Sequence, residues 1–246
     1  MGTKYSPSNQ PVATIFTSGS TTELNGGQAF DIDDLGTIVG SVNDVPAYWP
    51  QGGSPLALPT LLEGQRAFVS AINQQGWMVG DSIGPHPTDP NRLADHAVLW
   101  RDGQITDLGE VSVGDSVAAD INIDGTVVAW TQVNDTGESS AYRFESFTWQ
   151  DGVRTPLPIP EGDTSCMATS ISDLGWIAGN CGVGVNDQHG VLWVDGQVFG
   201  LEEFLGDGWK AGTAVVNDDG LIVGQGFYQN ELKVYVLTPD REAETE

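Results

Sequence analysis

Short runs of branched and aromatic residues alternate with Gly, Asn and Asp along the chain, and the alternation recurs. Ile32-Asp33-Asp34-Leu35-Gly36-Thr37-Ile38-Val39-Gly40 returns as Ile72-Asn73-Gln74-Gln75-Gly76-Trp77-Met78-Val79-Gly80 and as Ile121-Asn122-Ile123-Asp124-Gly125-Thr126-Val127-Val128-Ala129. Two further copies are Ile171-Ser172-Asp173-Leu174-Gly175-Trp176-Ile177-Ala178-Gly179 and Val216-Asn217-Asp218-Asp219-Gly220-Leu221-Ile222-Val223-Gly224. The turn glycines are spaced by 40, 49, 50 and 45 residues. Each copy predicts a hairpin, with a branched strand, a polar Asn, Asp or Ser, a Gly free to take φ > 0, and a second strand of small and branched residues. A second hairpin follows at Trp100-Arg101-Asp102-Gly103, Trp149-Gln150-Asp151-Gly152 and Trp193-Val194-Asp195-Gly196. Asp-Gly there suits a two-residue primed turn, and Trp49-Pro50-Gln51-Gly52 is a looser version.

Each unit of about 45 residues therefore holds four short antiparallel strands, the size of one propeller blade. No segment keeps an apolar helical period. The expected fold is all-β, a single five-bladed β-propeller over residues 12–240, between a flexible N-terminus at 1–11 and an acidic tail at 241–246. Ala13-Thr14-Ile15-Phe16-Thr17-Ser18-Gly19 copies the Trp-strand pattern, and is expected to pair beside the last blade and hide its edge. A solenoid is disfavoured because its ends would need polar caps that the sequence lacks. Linkers are expected at 84–92 and 134–143.

Composition narrows the partners. The chain has 246 residues with 9 Lys plus Arg against 34 Asp plus Glu, a net charge of −25. Phosphate backbones and anionic lipid are repelled by such a balance, so nucleic acid is not an expected partner. No apolar run approaches the roughly 18 residues of a membrane span, so no membrane insertion is expected. Residues 1–7 lead into no apolar stretch, so a leader is read as absent from this chain.

The hairpin motif, best kept at 72–80 and 216–224, occurs together with strands of His-Ala-Phe type. These are His96-Ala97-Val98, His189-Gly190-Val191, Ala47-Tyr48-Trp49 and Val234-Tyr235-Val236-Leu237. In both respects the chain resembles the HAF repeat proteins of bacteria from about residue 13 to 239. That resemblance implies secretion or surface display and a propeller-like fold; it brings no catalytic residues with it. Ala129 departs from the pattern by replacing the Gly of the third hairpin.

Candidate chemistry is sparse. His96 and His189 share a repeat position, so they sit on different blades and a strand-edge hydrogen bond is the expected role. His86 lies in a Pro-rich loop. Asp120, Asn122 and Asp124 have the oxygen spacing of a calcium loop, with Gly125 for the bend. Position twelve is Thr131 rather than Glu, and the other copies put these oxygens on a strand and its turn, where Asn or Asp caps its own amides. Calcium is the one cofactor the spacing allows. Trp49, Trp100, Trp149 and Trp193 recur at one position and should pack between blades. Trp77, Trp176, Trp130 and Trp209 vary between copies; core packing is the favoured role for each, and Trp77, Trp176 and Trp209 are the candidate ligand-stacking rings. Cys166 and Cys181 flank the fourth hairpin as near cross-strand partners; a disulfide and two free thiols both fit. No Gly-x-Ser-x-Gly elbow occurs, and no acid stands outside the repeat as one of a glycosidase pair. The sequence thus points to a non-catalytic, monomeric module, secreted or at the cell surface, that binds an extracellular glycan or protein. A propeller glycoside hydrolase and a purely structural surface module are the alternatives.

Overall fold

The computed structural model describes residues 2–5, 11–17, 19–24, 27–89, 91–109, 114–133, 143–183 and 188–239. The acidic tail and most of the 134–143 linker lie outside the described residues. Two compact units divide the chain, Met1–Val127 and Val128–Glu246.

The described residues form six antiparallel sheets. The first holds β1 (Gly2–Tyr5), β2 (Pro11–Thr17) and β3 (Ser20–Glu23), and the second β4 (Gln28–Ile32), β5 (Ile38–Val42), β6 (Val45–Trp49) and β7 (Leu56–Ala57). The third holds β8 (Ala67–Ile72), β9 (Met78–Pro85), β10 (Leu93–Arg101) and β11 (Gln104–Asp107). The fourth is β12 (Ser116–Ile121), β13 (Val127–Val133), β14 (Arg143–Gln150) and β15 (Val153–Pro156). The fifth is β16 (Ser165–Ile171), β17 (Ile177–Gly182), β18 (Gln188–Val194) and β19 (Gln197–Gly200). After one helical turn, α1 (Glu202–Leu205), the sixth is β20 (Trp209–Val216), β21 (Ile222–Tyr228) and β22 (Glu231–Leu237). Strands follow chain order in every sheet, as successive hairpins require.

One expectation is corrected here. The extra strand at 13–17, expected beside the last blade, has both edges occupied, by β1 through Thr3↔Ala13 and by β3 through Thr14↔Glu23. A strand paired on both sides has no edge left to offer, so these residues make a sheet of their own. Among the described residues the sixth sheet keeps three strands, and the sheets exceed the five expected blades by that N-terminal one.

The hairpins form as the repeat predicts. In each, the polar residue's N–H donates to the carbonyl four residues on, and the turn Gly N–H donates back to its carbonyl. Its side-chain oxygen accepts the amide four residues on, as Asp33 Oδ1 from Thr37 (2.7 Å), Asn73 Oδ1 from Trp77 (3.0 Å) and Asn217 Oδ1 from Leu221 (2.8 Å). Gly36, Gly76, Gly125, Gly175 and Gly220 hold φ between 76° and 81°. The primed turns are present too, with positive φ at Asp102 and Gly103, Asp151 and Gly152, and Asp195 and Gly196. A bulge interrupts the first strand of four sheets, at Phe30, Ser70 and Thr169, and between Ala211 and Ala214.

Within each unit, neighbouring sheets are joined by apolar packing and single hydrogen bonds. Trp49, Trp100 and Trp193 are buried, and the Trp100 and Trp193 indoles donate to the carbonyls of Pro59 and Pro158 in the preceding inter-sheet connections (both 2.8 Å). Trp149 is only half-buried. Leu58, Val69, Ile72, Val98 and Trp100 share one core cluster; Leu192, Leu201, Val216 and Tyr235 share another. Cys166 and Cys181 face each other across β16 and β17 and are joined by a disulfide.

Two outcomes follow from this packing. A Cβ on Gly125 would stand 2.4 Å from the Trp77 ring at a backbone φ of +77°, so Gly125→Ala should lower stability by about 1–3 kcal/mol, read as a lower urea midpoint. The bridge closes a loop with a sequence separation of 15, so reduction, or the double variant Cys166→Ser with Cys181→Ser, should cost about 3 kcal/mol in the same measurement.

Candidate functional site

The third sheet builds a site from strand alternation alone. Arg66 precedes β8, and Phe68 lies two residues on, so both side chains leave the same face. Across the ladder Phe68 opposes Asp81 of β9, and Asp81 opposes Ala97 of β10, which sets Asp95 on the diagonal. The bulge in β4 supplies the opposite wall. It makes Phe30 the extra residue between the pairs Ala29↔Gly40 and Asp31↔Val39 and leaves the ring exposed. The Phe30 and Phe68 rings lie 6.1 Å apart at 54°.

Both rings line an open recess of ≈ 500 Å³, together with Gln28, Val69, Ser70 and Asp81. Asp81 is 7% exposed, yet it accepts no hydrogen bond among the described residues; its contact is Arg66 Nη1 at 3.9 Å. The Arg66 guanidinium is held elsewhere, with Nη2 donating to both Asp95 oxygens at 2.9 and 2.8 Å. Asp95's own amide donates to Asp115 Oδ1 (3.0 Å). Burial pushes the Asp81 carboxyl up to about 7, the charges of Asp95 and Asp115 push the same way, and Arg66 pulls it back in part. The site thus offers aromatic edges, an amide, a hydroxyl and an under-partnered carboxyl, an inventory suited to a hydroxyl-rich ligand.

The sequence-predicted residues lie elsewhere and apart. Trp77 is half-buried against Gly125, with the Arg101 guanidinium 3.8 Å from its ring centroid. Trp176 repeats that seat on Gly220. It also walls an apolar cavity of ≈ 570 Å³ with Leu192, Phe199, Phe204 and Ile222, where no lining side chain is ionisable. Trp209 packs on Tyr228 and Tyr235. Of the calcium-loop residues, Asp120 Oδ1 accepts the Ile121 amide, Asn122 is buried with Oδ1 on the Thr126 amide, and Asp124 is exposed on the turn. His96 lies between Asp107 Oδ2 (2.8 Å) and the Pro85 carbonyl (2.9 Å), a hydrogen-bonding role on the inner strand β10 rather than at a sheet edge. His189 reaches Asp163 at 3.3 Å, and His86 Nδ1 accepts the Thr88 amide.

Arg66, Asp81, Asp95, Phe30 and Phe68 escaped the sequence reading. One signal was available. The residue after the hairpin Gly, or after Ala129, is Ser41, Asp81, Trp130, Asn180 and Gln225 in the successive copies, so Asp81 is the one carboxylate at that position.

No family model matches the chain, and no curated protein matches it in sequence. Among solved structures it is similar to the β-propeller domain of the Trilobed protease from Pyrococcus furiosus, described as having an open velcro topology. The identity is 11% and the TM-score 0.65, over 97% of this chain and 76% of that one. A putative TolB from Agrobacterium tumefaciens matches with TM-score 0.57 and 12% identity, over 90% of this chain and 81% of that chain. Pyrococcus horikoshii acylaminoacyl peptidase matches with TM-score 0.64 and 13% identity, over 96% of this chain and 42% of that chain. These likenesses show a β-propeller-like fold, and at such identities they carry no activity across.

The raised Asp81 group gives a signed expectation. Its folded value of about 7 lies above the ordinary carboxylate value of 3.8, so the folded chain binds more protons than the unfolded one between them. That contribution to stability is present at the acid end of the window and is lost as pH rises through 7. Denaturant midpoints should show Asp81→Asn gaining on the wild type as pH rises from about 5 to 8; parallel profiles would contradict the burial.

Proposed function

We propose that the chain is a non-catalytic propeller module that binds an extracellular glycan, seated in the Asp81 recess. The five sequence repeats are the proposed blades. The observation that carries the reading is the pair of exposed Phe rings over a buried, under-partnered carboxyl, beside the Gln28 amide and Ser70 hydroxyl. Sugar rings present C–H faces to aromatic groups and hydroxyls to acceptors, and both are supplied within one recess. Secretion or surface display is the proposed setting; the resemblance to the HAF repeat proteins supports it, and the Cys166–Cys181 bridge is compatible with it.

Glycoside hydrolysis is the second reading, favoured by one observation. Asp81 and Asp95 are neighbouring carboxyls in unlike environments, one pushed up to about 7 and one clamped by Arg66, which is how an acid and its partner are set apart.

A glycan panel probed with purified protein, in calcium and in chelator, separates the readings by retained protein and released sugar. The expected result is retention without release, weakened about three- to tenfold by Phe68→Ala, the worth of one aromatic stack. Released sugar would replace the binding reading by the hydrolytic one. Loss of retention in chelator would assign calcium to Asp120, Asn122 and Asp124.

A further inference from the structure

The charge of the recess narrows the ligand further, resting on the glycan reading above. Among the described residues Asp81 is the one carboxyl that lines it, and behind Asp81 the charges of Asp95 and Asp115 add to its own while one guanidinium, Arg66, opposes them. That guanidinium is already engaged by both oxygens of Asp95 and reaches Asp81 only at 3.9 Å. Asp81, with a side chain 10% exposed, is therefore a buried acceptor lining the recess with no donor of its own among the described residues. Burying an acceptor in this way is costly until a donor arrives, and a charged donor repays most. The Phe30 and Phe68 rings line the same recess, and the Arg66 guanidinium 5.7 Å from the Phe68 centroid shows a cation accepted beside that ring. An anionic sugar would meet Asp81 with the charges of Asp95 and Asp115 behind it and Arg66 already engaged, whereas a neutral sugar would leave the excess charge uncompensated.

We propose that the recess takes a sugar residue bearing a free primary amine, its ammonium donating to Asp81 beside the Phe30 and Phe68 rings. Burial, and after it the like charges of Asp95 and Asp115, push Asp81 up to about 7; a bound cation opposes both, so loading the site and ionising Asp81 favour one another. The overall charge of −25 draws cationic ligands toward the molecule without discriminating between sites.

Calorimetry with short oligosaccharides of glucosamine, N-acetylglucosamine and glucose, at about neutral pH, tests this. The free-amine form should bind at least about tenfold tighter than the other two. In Asp81→Asn, which keeps the shape and removes the charge, the three should become equal within about threefold. Asp219→Asn removes the same charge from an exposed turn of the second unit and should leave the preference intact. Equal binding of all three sugars by the wild type overturns the amine inference and leaves the glycan reading standing. So does a preference that survives in Asp81→Asn, because it would reflect net charge alone. Silence of folded wild-type protein toward all three overturns both.

Discussion

The five hairpin turns hold the molecule's geometry in place. A polar side-chain oxygen binds the amide four residues on, and a Gly with positive φ closes the loop beneath it. The turn fixes the register of the two strands it joins, and on a pleated strand a slip of one residue would move every side chain to the other face. Register in turn brings Gly40, Gly80 and Gly179 against the carbonyls of the preceding strands, where a Cβ would stand 1.9, 1.9 and 2.3 Å from oxygen. Those close approaches accompany the bulges that follow, and the bulges aim Phe30 outward and set Ser70 beside Asp81.

What the sequence revealed was what it encodes locally. The repeat, the hairpins, the Asp-Gly turns and the facing cysteines each depend on residues close in the chain, and each is found in the structure. The recess was not legible because residues 28 to 81 line it from two sheets, with no short spacing that marks them. Trp77 and Trp176 carry a partner that is equally distant in sequence. Each ring lies against a turn glycine one repeat away, at 125 and 220, a packing contact that no local spacing announces. Likewise β1 was invisible, since Gly-Thr-Lys-Tyr carries no alternation and becomes a strand only by pairing with β2.

Scarce cations are placed with economy in this acidic chain. Of its 9 Lys and Arg residues, Arg101 and Arg154 lie 3.8 Å from the ring centroids of Trp77 and Phe147, and Arg66 lies 5.7 Å from that of Phe68. A guanidinium flat on a ring keeps its charge partly in water while its stem covers apolar surface. Burial holds the Arg154 guanidinium below its usual range, with Glu145 working in the opposite direction.

The position after the hairpin glycine has a wider meaning. The repeat keeps the turn nearly constant while the next residue changes freely, through Ser41, Asp81, Trp130, Asn180 and Gln225. In the fifth sheet Asn180 donates to Gln188 on the same diagonal that holds Asp81 and Asp95 in the third. The two places share a ladder geometry and differ in chemistry, one an amide pair and the other an acid pair. A fold of this kind works as an array of interchangeable sockets, in which new specificity arises by rewriting side chains at a fixed address while the architecture stays untouched.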